Sequence, residues 1–213
     1  MSKKITGLNI FRGAMEITAL LLVIILVGNH KLQMWLIIFA GGVMVSLFGG
    51  RLFCAWICPM NTIFRGIDFI YKKLKIKRFN APEFLKNNIV RYIFLALFIL
   101  SMVVVKMKGL HLNMLLYIIL FSVALTMFVN EEFWHRYLCP FGTILSFTSR
   151  KARYGMHIEE NECIACGKCQ KVCPSASILT IENKKRKNKN NECLMCRQCI
   201  DICPVNVCGI SKK

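Results

Sequence analysis

The chain reads Cys163-x2-Cys166-x2-Cys169-x3-Cys173-Pro174 and, thirty residues on, Cys193-x2-Cys196-x2-Cys199-x3-Cys203-Pro204. No other feature narrows the available folds so far. Three thiols at intervals of three wrap one region of a cubane cluster, while the fourth points away toward the other copy. The spacing therefore predicts two [4Fe-4S] clusters with exchanged fourth ligands. Cys163, Cys166, Cys169 and Cys203 hold the first; Cys193, Cys196, Cys199 and Cys173 hold the second. The proline after each fourth cysteine lacks an N–H and fixes the turn. A pair of zinc sites is the competing reading, since zinc also takes four thiolates, but two complete runs in tandem favour clusters. Residues 157–213, which carry both runs, have few large apolar side chains, so the clusters double as staples of a small α+β domain.

The preceding part, 1–156, has a different character. The chain is 55% hydrophobic with a formal charge of +18, and the charge is unevenly spread. Long uncharged runs predict four transmembrane helices, from about Gly13 to Gly28, Leu32 to Gly50, Ile89 to Val105 and Gly109 to Val129. Lys3 and Lys4 ahead of the first run suggest a signal peptide, but no small-x-small cleavage site follows Val27, so the run is read as a span. Arg51, Arg65, Lys72, Lys73, Lys75, Lys77, Arg78 and Lys86 fall between the second and third spans. The opposite loops hold only Lys31, Lys106 and Lys108. The positive-inside rule then puts both termini, and everything after Val129, on the cytoplasmic side of the inner membrane. Basic loops between apolar runs suit a bilayer and exclude a nucleic-acid binder. Most of the twelve cysteines fall in short Pro-terminated runs, which point to a reducing compartment rather than a disulfide scaffold.

A second repeat lies within the membrane part, at an offset of 81 residues. Phe53-Cys54-Ala55-Trp56-Ile57-Cys58-Pro59-Met60-Asn61-Thr62-Ile63-Phe64 matches Trp134-His135-Arg136-Tyr137-Leu138-Cys139-Pro140-Phe141-Gly142-Thr143-Ile144-Leu145. Each copy follows an inward-running span, which predicts two parallel two-helix repeats with a Pro-initiated helix at the cytoplasmic edge. Two such motifs followed by tandem cluster runs resemble the NapH/MauN-type membrane 4Fe-4S binding proteins, whose core is shared with NosR and CcoG. The resemblance covers about Phe11 to Val207. It implies a membrane all-α part plus a bacterial ferredoxin-like 2[4Fe-4S] domain, and electron transfer between a membrane quinone pool and redox partner subunits. It also implies an alternative, reduction of a metal such as copper during metalloenzyme assembly. Family members read C-x3-C-P in both copies; this chain has His135 where the second copy would carry its first cysteine.

If the repeats pack about a pseudo-axis, Cys54, Cys58, His135 and Cys139 converge and can hold a third metal or cluster site. Cys54 and Cys58 can instead act as a dithiol activated by Arg51, or pack as small reduced hydrophobes. Cys208 belongs to no motif and is read as structural. His30 and His111 stand 81 residues apart on the outer side and are candidates for haem, copper or quinone protonation. Glu16 is expected to pair with Arg12 at i,i+4. Lys184 to Lys189 reads as a solvated loop or a docking patch for an acidic carrier or anionic lipid. The expected role is an electron-transfer subunit rather than a stand-alone catalyst, with a cluster-based redox sensor as the reading from another class.

Overall fold

Where no water reaches the backbone, an apolar run satisfies its peptide groups only by coiling into a helix. The computed structural model describes residues 7–82, 85–109, 113–181 and 183–212. Helix α1 spans Gly7–Gly28 and a 3-10 turn at Leu32–Met34 leads into α2, Trp35–Gly49. The short α3, Leu52–Trp56, precedes α4, Pro59–Leu74; α5 is Asn88–Met107 and α6 is Met114–Phe128. A single turn, α7 at Glu131–Phe133, widens to π-helical winding over Trp134–Leu138 before α8, Pro140–Thr148.

Three stretches, Gly7–Gly28, Leu32–Gly49 and Asn88–Met107, are long and apolar enough to cross a membrane. Helix α6 is as apolar but has fifteen residues, about 22 Å at 1.5 Å per residue, short of a bilayer core of about 30 Å. The expected fourth span therefore shortens at both ends, and residues 110–112 of it, His111 included, lie outside the described residues. Residues 7–12, ahead of the expected start near Gly13, are already helical. The two charges that set the expected boundary are neutralised inside the fold: Arg12 Nε stands 3.4 Å from Glu16 Oε1, and Arg65 of α4 donates to both Glu16 oxygens.

The 81-residue repeat appears as repeated local geometry. Cys58 and Cys139 both cap the helix that follows, with φ/ψ of −66°/117° and −67°/111°, and Pro59 and Pro140 open α4 and α8. Each cysteine N–H donates five residues back, Cys58 to Phe53 O at 3.0 Å and Cys139 to Trp134 O at 2.8 Å. The matching threonines, Thr62 and Thr143, each donate a hydroxyl to the carbonyl of that cysteine. One buried apolar core, including Phe39, Phe53, Phe64, Trp134, Phe141 and Leu145, joins the two copies.

After α8 the chain pairs strand β1, Tyr154–Ile158, antiparallel with the C-terminal β4, Cys208–Lys212. Between them lie α9 (Lys168–Lys171), the antiparallel pair β2 (Ile178–Thr180) and β3 (Arg186–Asn188), and α10 (Gln198–Ile202). The basic run from Lys184 is thus partly strand: Arg186, Lys187 and Asn188 form one arm of a hairpin.

One buried carboxylate ties this C-terminal part to the helices. Glu192 Oε2 lies 3.2 Å from Arg51 Nη1, and Oε1 lies 2.7 Å from Arg91 Nη1 and accepts from Ser146 Oγ at 3.1 Å. Arg51, Arg91 and Glu192 are all buried. Arg51 also donates to His135 O, and Arg91 to Gly142 O and Thr143 Oγ1. Leu194, two residues on, is packed within the core of the helical part. Removing one member of a buried ionic group leaves the others uncompensated, which costs about 3–5 kcal/mol. Glu192→Ala should lower stability by that amount in denaturant unfolding of the detergent-solubilised chain followed by tryptophan fluorescence, whereas Glu162→Ala, the equivalent position in the first run, should change little.

Candidate functional site

The tandem runs fold as two copies of one wrapping turn. Ala165 and Met195 have φ of 57° and 58°, Gly167 and Arg197 have 71° and 64°, and Ala176 and Asn206 have 47° and 55°. Left-handed backbone at these three pairs, each thirty residues apart, turns the chain around a centre. For non-glycine residues it costs about 1–2 kcal/mol each, a strain that ligation of a bound group can offset. Cys163, Cys166, Cys169 and Cys203 line one cavity. Cys193, Cys196, Cys199 and Cys173 line a second. Among the described residues, no three His, Cys, Asp or Glu side chains stand close enough to hold a single metal ion. A cubane is a larger body, each iron taking one thiolate, so cavities ringed by spaced thiols suit it better than a zinc ion.

Donors already face the ligand sulfurs. Ser177 N–H and Ser177 Oγ both lie 3.3 Å from Cys173 Sγ, and Met195 N–H lies 3.4 Å from Cys193 Sγ. Cys208 also faces them. It is buried, lines the first cavity, and packs in one core with Cys199 and Cys203.

At the starts of α4 and α8 the structure brings Cys54, Cys58 and Cys139 near one another, with Arg51 beside Cys54 and Cys139. Burial pushes the Cys139 thiol up to about 11, with Cys54 adding to the rise and Arg51 and Arg91 opposing it. Burial, then Cys54 and Cys139, push Cys58 higher still. His135 meets this group through its carbonyl on Arg51, and its ring packs edge-on to Phe64 at 5.4 Å between centroids. Burial first, then Arg51, hold that imidazole neutral by bringing it down to about 3, and its Nε2 has no hydrogen-bond partner. Gly142 is required here, since a Cβ on it would stand 2.4 Å from Arg51 Nη2. His30 is exposed at the far end of α1.

A small apolar crevice bounded by Val23, Trp35, Phe39 and Leu115 reaches Cys58 from the helical core. A polar cleft of about 870 Å³ separates α1 and α4 from α9 and α10, with Arg12, Arg65, Arg78, Glu131, Cys173 and Asp201 on its walls. Two residues that matter most here escape sequence reasoning. Glu162 and Glu192 precede equivalent cysteines and look alike in sequence, yet only Glu192 is buried. Ser177 carries a hydroxyl where its counterpart Val207 carries two methyl groups, a signal visible only once the two runs are aligned on each other.

Two thiol-lined cavities beside an apolar helical bundle fit a ferredoxin-type iron–sulfur protein with a membrane helical part. A 4Fe-4S binding domain model matches residues 32–77 and again 111–157, the two halves of the membrane repeat, and a 4Fe-4S dicluster domain model matches 155–204. The putative electron transport protein YccM of Escherichia coli is 27% identical over 157 residues, 62% of this chain and 44% of its own length. The methylamine utilization ferredoxin-type protein MauN of Methylobacillus flagellatus is 25% identical over 152 residues, 62% of this chain and 51% of its own. The ferredoxin-type protein NapH of Haemophilus influenzae is 25% identical over 179 residues, 76% of this chain and 61% of its own. The chain spans about half the length of the relatives it matches. No solved structure matches it. The chain is a ferredoxin-like iron–sulfur protein of the NapH/MauN type.

Glu131, on the cleft wall, generates a pH prediction. Burial first, then Asp68, push its carboxyl up to about 7, against the pull of Arg78, Lys72 and Arg65. The folded state then holds a proton that the unfolded state has released, so stability falls as pH rises from about 4.5 to 7. Glu131→Gln should raise the melting temperature at pH 8 and leave it unchanged at pH 4.5, measured by thermal unfolding in detergent.

Proposed function

We propose that the chain passes electrons between the membrane and a redox partner protein. Cys163, Cys166, Cys169 and Cys203 ligate one [4Fe-4S] cluster, and Cys193, Cys196, Cys199 and Cys173 the other. The observation that carries this reading is the grouping of thiols by cavity: each takes three cysteines from one run and the fourth from the other. When bound, each cluster takes up and releases one electron at a time. The chain's own residues supply the ligand sulfurs, the N–H and hydroxyl donors that stabilise them, and the Glu192 clamp that holds the second cavity against the helices.

In this reading residues 1–156 form the membrane part, with four spans in two parallel two-helix repeats, and 157–213 the ferredoxin part. The basic residues flanking α4 favour the cytoplasmic side of the inner membrane for both termini and the cluster domain. The crevice reaching Cys58 is apolar, as a quinone entering from the bilayer would require. Protein partner subunits approach from the exposed side of the cluster domain, where Cys166 meets solvent.

Exchanged ligation has a direct test. In dithionite-reduced protein, Cys203→Ser should perturb the same EPR signal as Cys163→Ser, and Cys173→Ser the same as Cys193→Ser. A Cys203→Ser change that tracks Cys193→Ser would overturn the assignment.

A second reading rests on Cys54, Cys58 and Cys139 gathered beside Arg51, with neutral His135 close by: a third redox centre, or a thiol site that reduces a metal such as copper. Replacing Cys54 and Cys58 by Ser should then abolish copper(II) reduction by the chain while leaving the signals of the ferredoxin part intact. Unchanged copper reduction would remove this reading.

A further inference from the structure

The two cluster runs are copies of one another, so positions where they differ chemically can make the two sites unequal. After the fourth cysteine the first run reads Pro174-Ser175-Ala176-Ser177 and the second reads Pro204-Val205-Asn206-Val207. Backbone geometry is shared, as the left-handed φ at Ala176 and Asn206 shows. The side chains are not. Because fourth ligands are exchanged, the serines serve the cavity of the second run: Cys173 Sγ has Ser177 N–H and Oγ at 3.3 Å and Ser175 Oγ at 3.8 Å. Val205 and Val207 line the other cavity beside Cys203 and carry no hydroxyl.

The cavities also differ in place. The serine-lined cavity is the inner one: Cys196 packs against the helical core, and Arg12 of α1 donates to Cys196 O. The valine-lined cavity is the outer one, with Cys166, Ile164 and Val205 exposed. Cations do not separate the two, since Lys168 and Arg186 line the outer cavity while Arg197 lines the inner one and Arg12 adjoins it.

We propose that Ser177, supported by Ser175, sets the reduction potential of the inner site above that of the outer site, so that the domain directs electrons from its exposed tip toward the membrane edge. This rests on the two-cluster reading given above. A donor to a ligand sulfur stabilises the added negative charge of the reduced state and so raises the potential. Solvent at the outer site acts in the same sense, whereas at the inner site Ser177 Oγ stands 3.3 Å from the Cys173 sulfur. Ser177 Oγ also reaches Asn188 Oδ1 at 3.0 Å, yet a ligating thiolate is the stronger acceptor and takes the proton. In each transfer one electron leaves the group held by Cys163, Cys166, Cys169 and Cys203, and one enters the group held by Cys193, Cys196, Cys199 and Cys173. No bond is made or broken.

The test is an EPR-monitored potentiometric titration of the full chain, purified anaerobically. Ser177→Val introduces the residue that the other copy already accommodates. It should lower the higher-potential step by about tenfold in the reduced-to-oxidised ratio, about 59 mV for a one-electron couple. Val207→Ser should raise the lower step, and Ser177→Thr should keep the wild-type value. If Ser177→Val instead moves the lower-potential step, or moves neither step with iron content intact, the inference is overturned. A wild-type chain that titrates without two cluster signals overturns the two-cluster reading itself.

Discussion

A single buried carboxylate joins the second cysteine run to the arginines beside the thiols of the helical part. Glu192 reaches into the helical part and is held between Arg51 and Arg91. Arg51 follows α2 and Arg91 opens α5, while Ser146 on α8 supplies a third contact. Cys193, the first cysteine of the second run, is the very next residue, so the clamp fixes one wall of the inner cavity to the membrane edge. The same guanidinium that grips Glu192 lies beside Cys54 and Cys139. Ion pairing, domain docking and the surroundings of the membrane-edge thiols are therefore parts of one buried network. With two arginines to one carboxylate, that network keeps a positive charge beside Cys139, opposing but not cancelling the rise that burial imposes on its thiol.

Two internal duplications build the rest, and each is informative where its copies diverge. In the membrane repeat, Cys58 and Cys139 share a capping geometry, a five-residue backbone bond and a following proline. Cys54 has no thiol counterpart; His135 stands in its place. Asn61 and Gly142 also differ, and the missing side chain at Gly142 leaves room for Arg51. The cluster repeat keeps its three left-handed positions and changes the polarity of the residues behind the fourth cysteine. Shared backbone with unequal side chains is how a duplicated scaffold acquires an inside and an outside.

Much of this was legible in the sequence because it depends on spacing and composition. Uncharged runs located the helices, and Cys-Pro located the starts of α4 and α8. Errors arose where tertiary partners override local signals. Arg12 and Glu16 looked like a boundary, but Arg65, forty-nine residues from Glu16, completes their neutralisation, and α1 runs through both positions. The Lys184–Lys189 run looked like a loop, but Arg186 to Asn188 finds β2 as a partner. Glu192 was indistinguishable from Glu162 because burial is a property of what packs on a residue, and no one-dimensional pattern records the approach of α2, α5 and α8. Cys208 was read as structural; it is buried, and it packs in one core with candidate ligand cysteines of both runs, Cys169, Cys199 and Cys203 among them.

The account's central claim is that two cubanes sit in the paired cavities beside the helical core. Iron and acid-labile sulfide, quantified per chain after anaerobic purification, test it most directly. The account predicts about eight of each, in equal amounts. A colourless chain that carries zinc and releases no sulfide would contradict it.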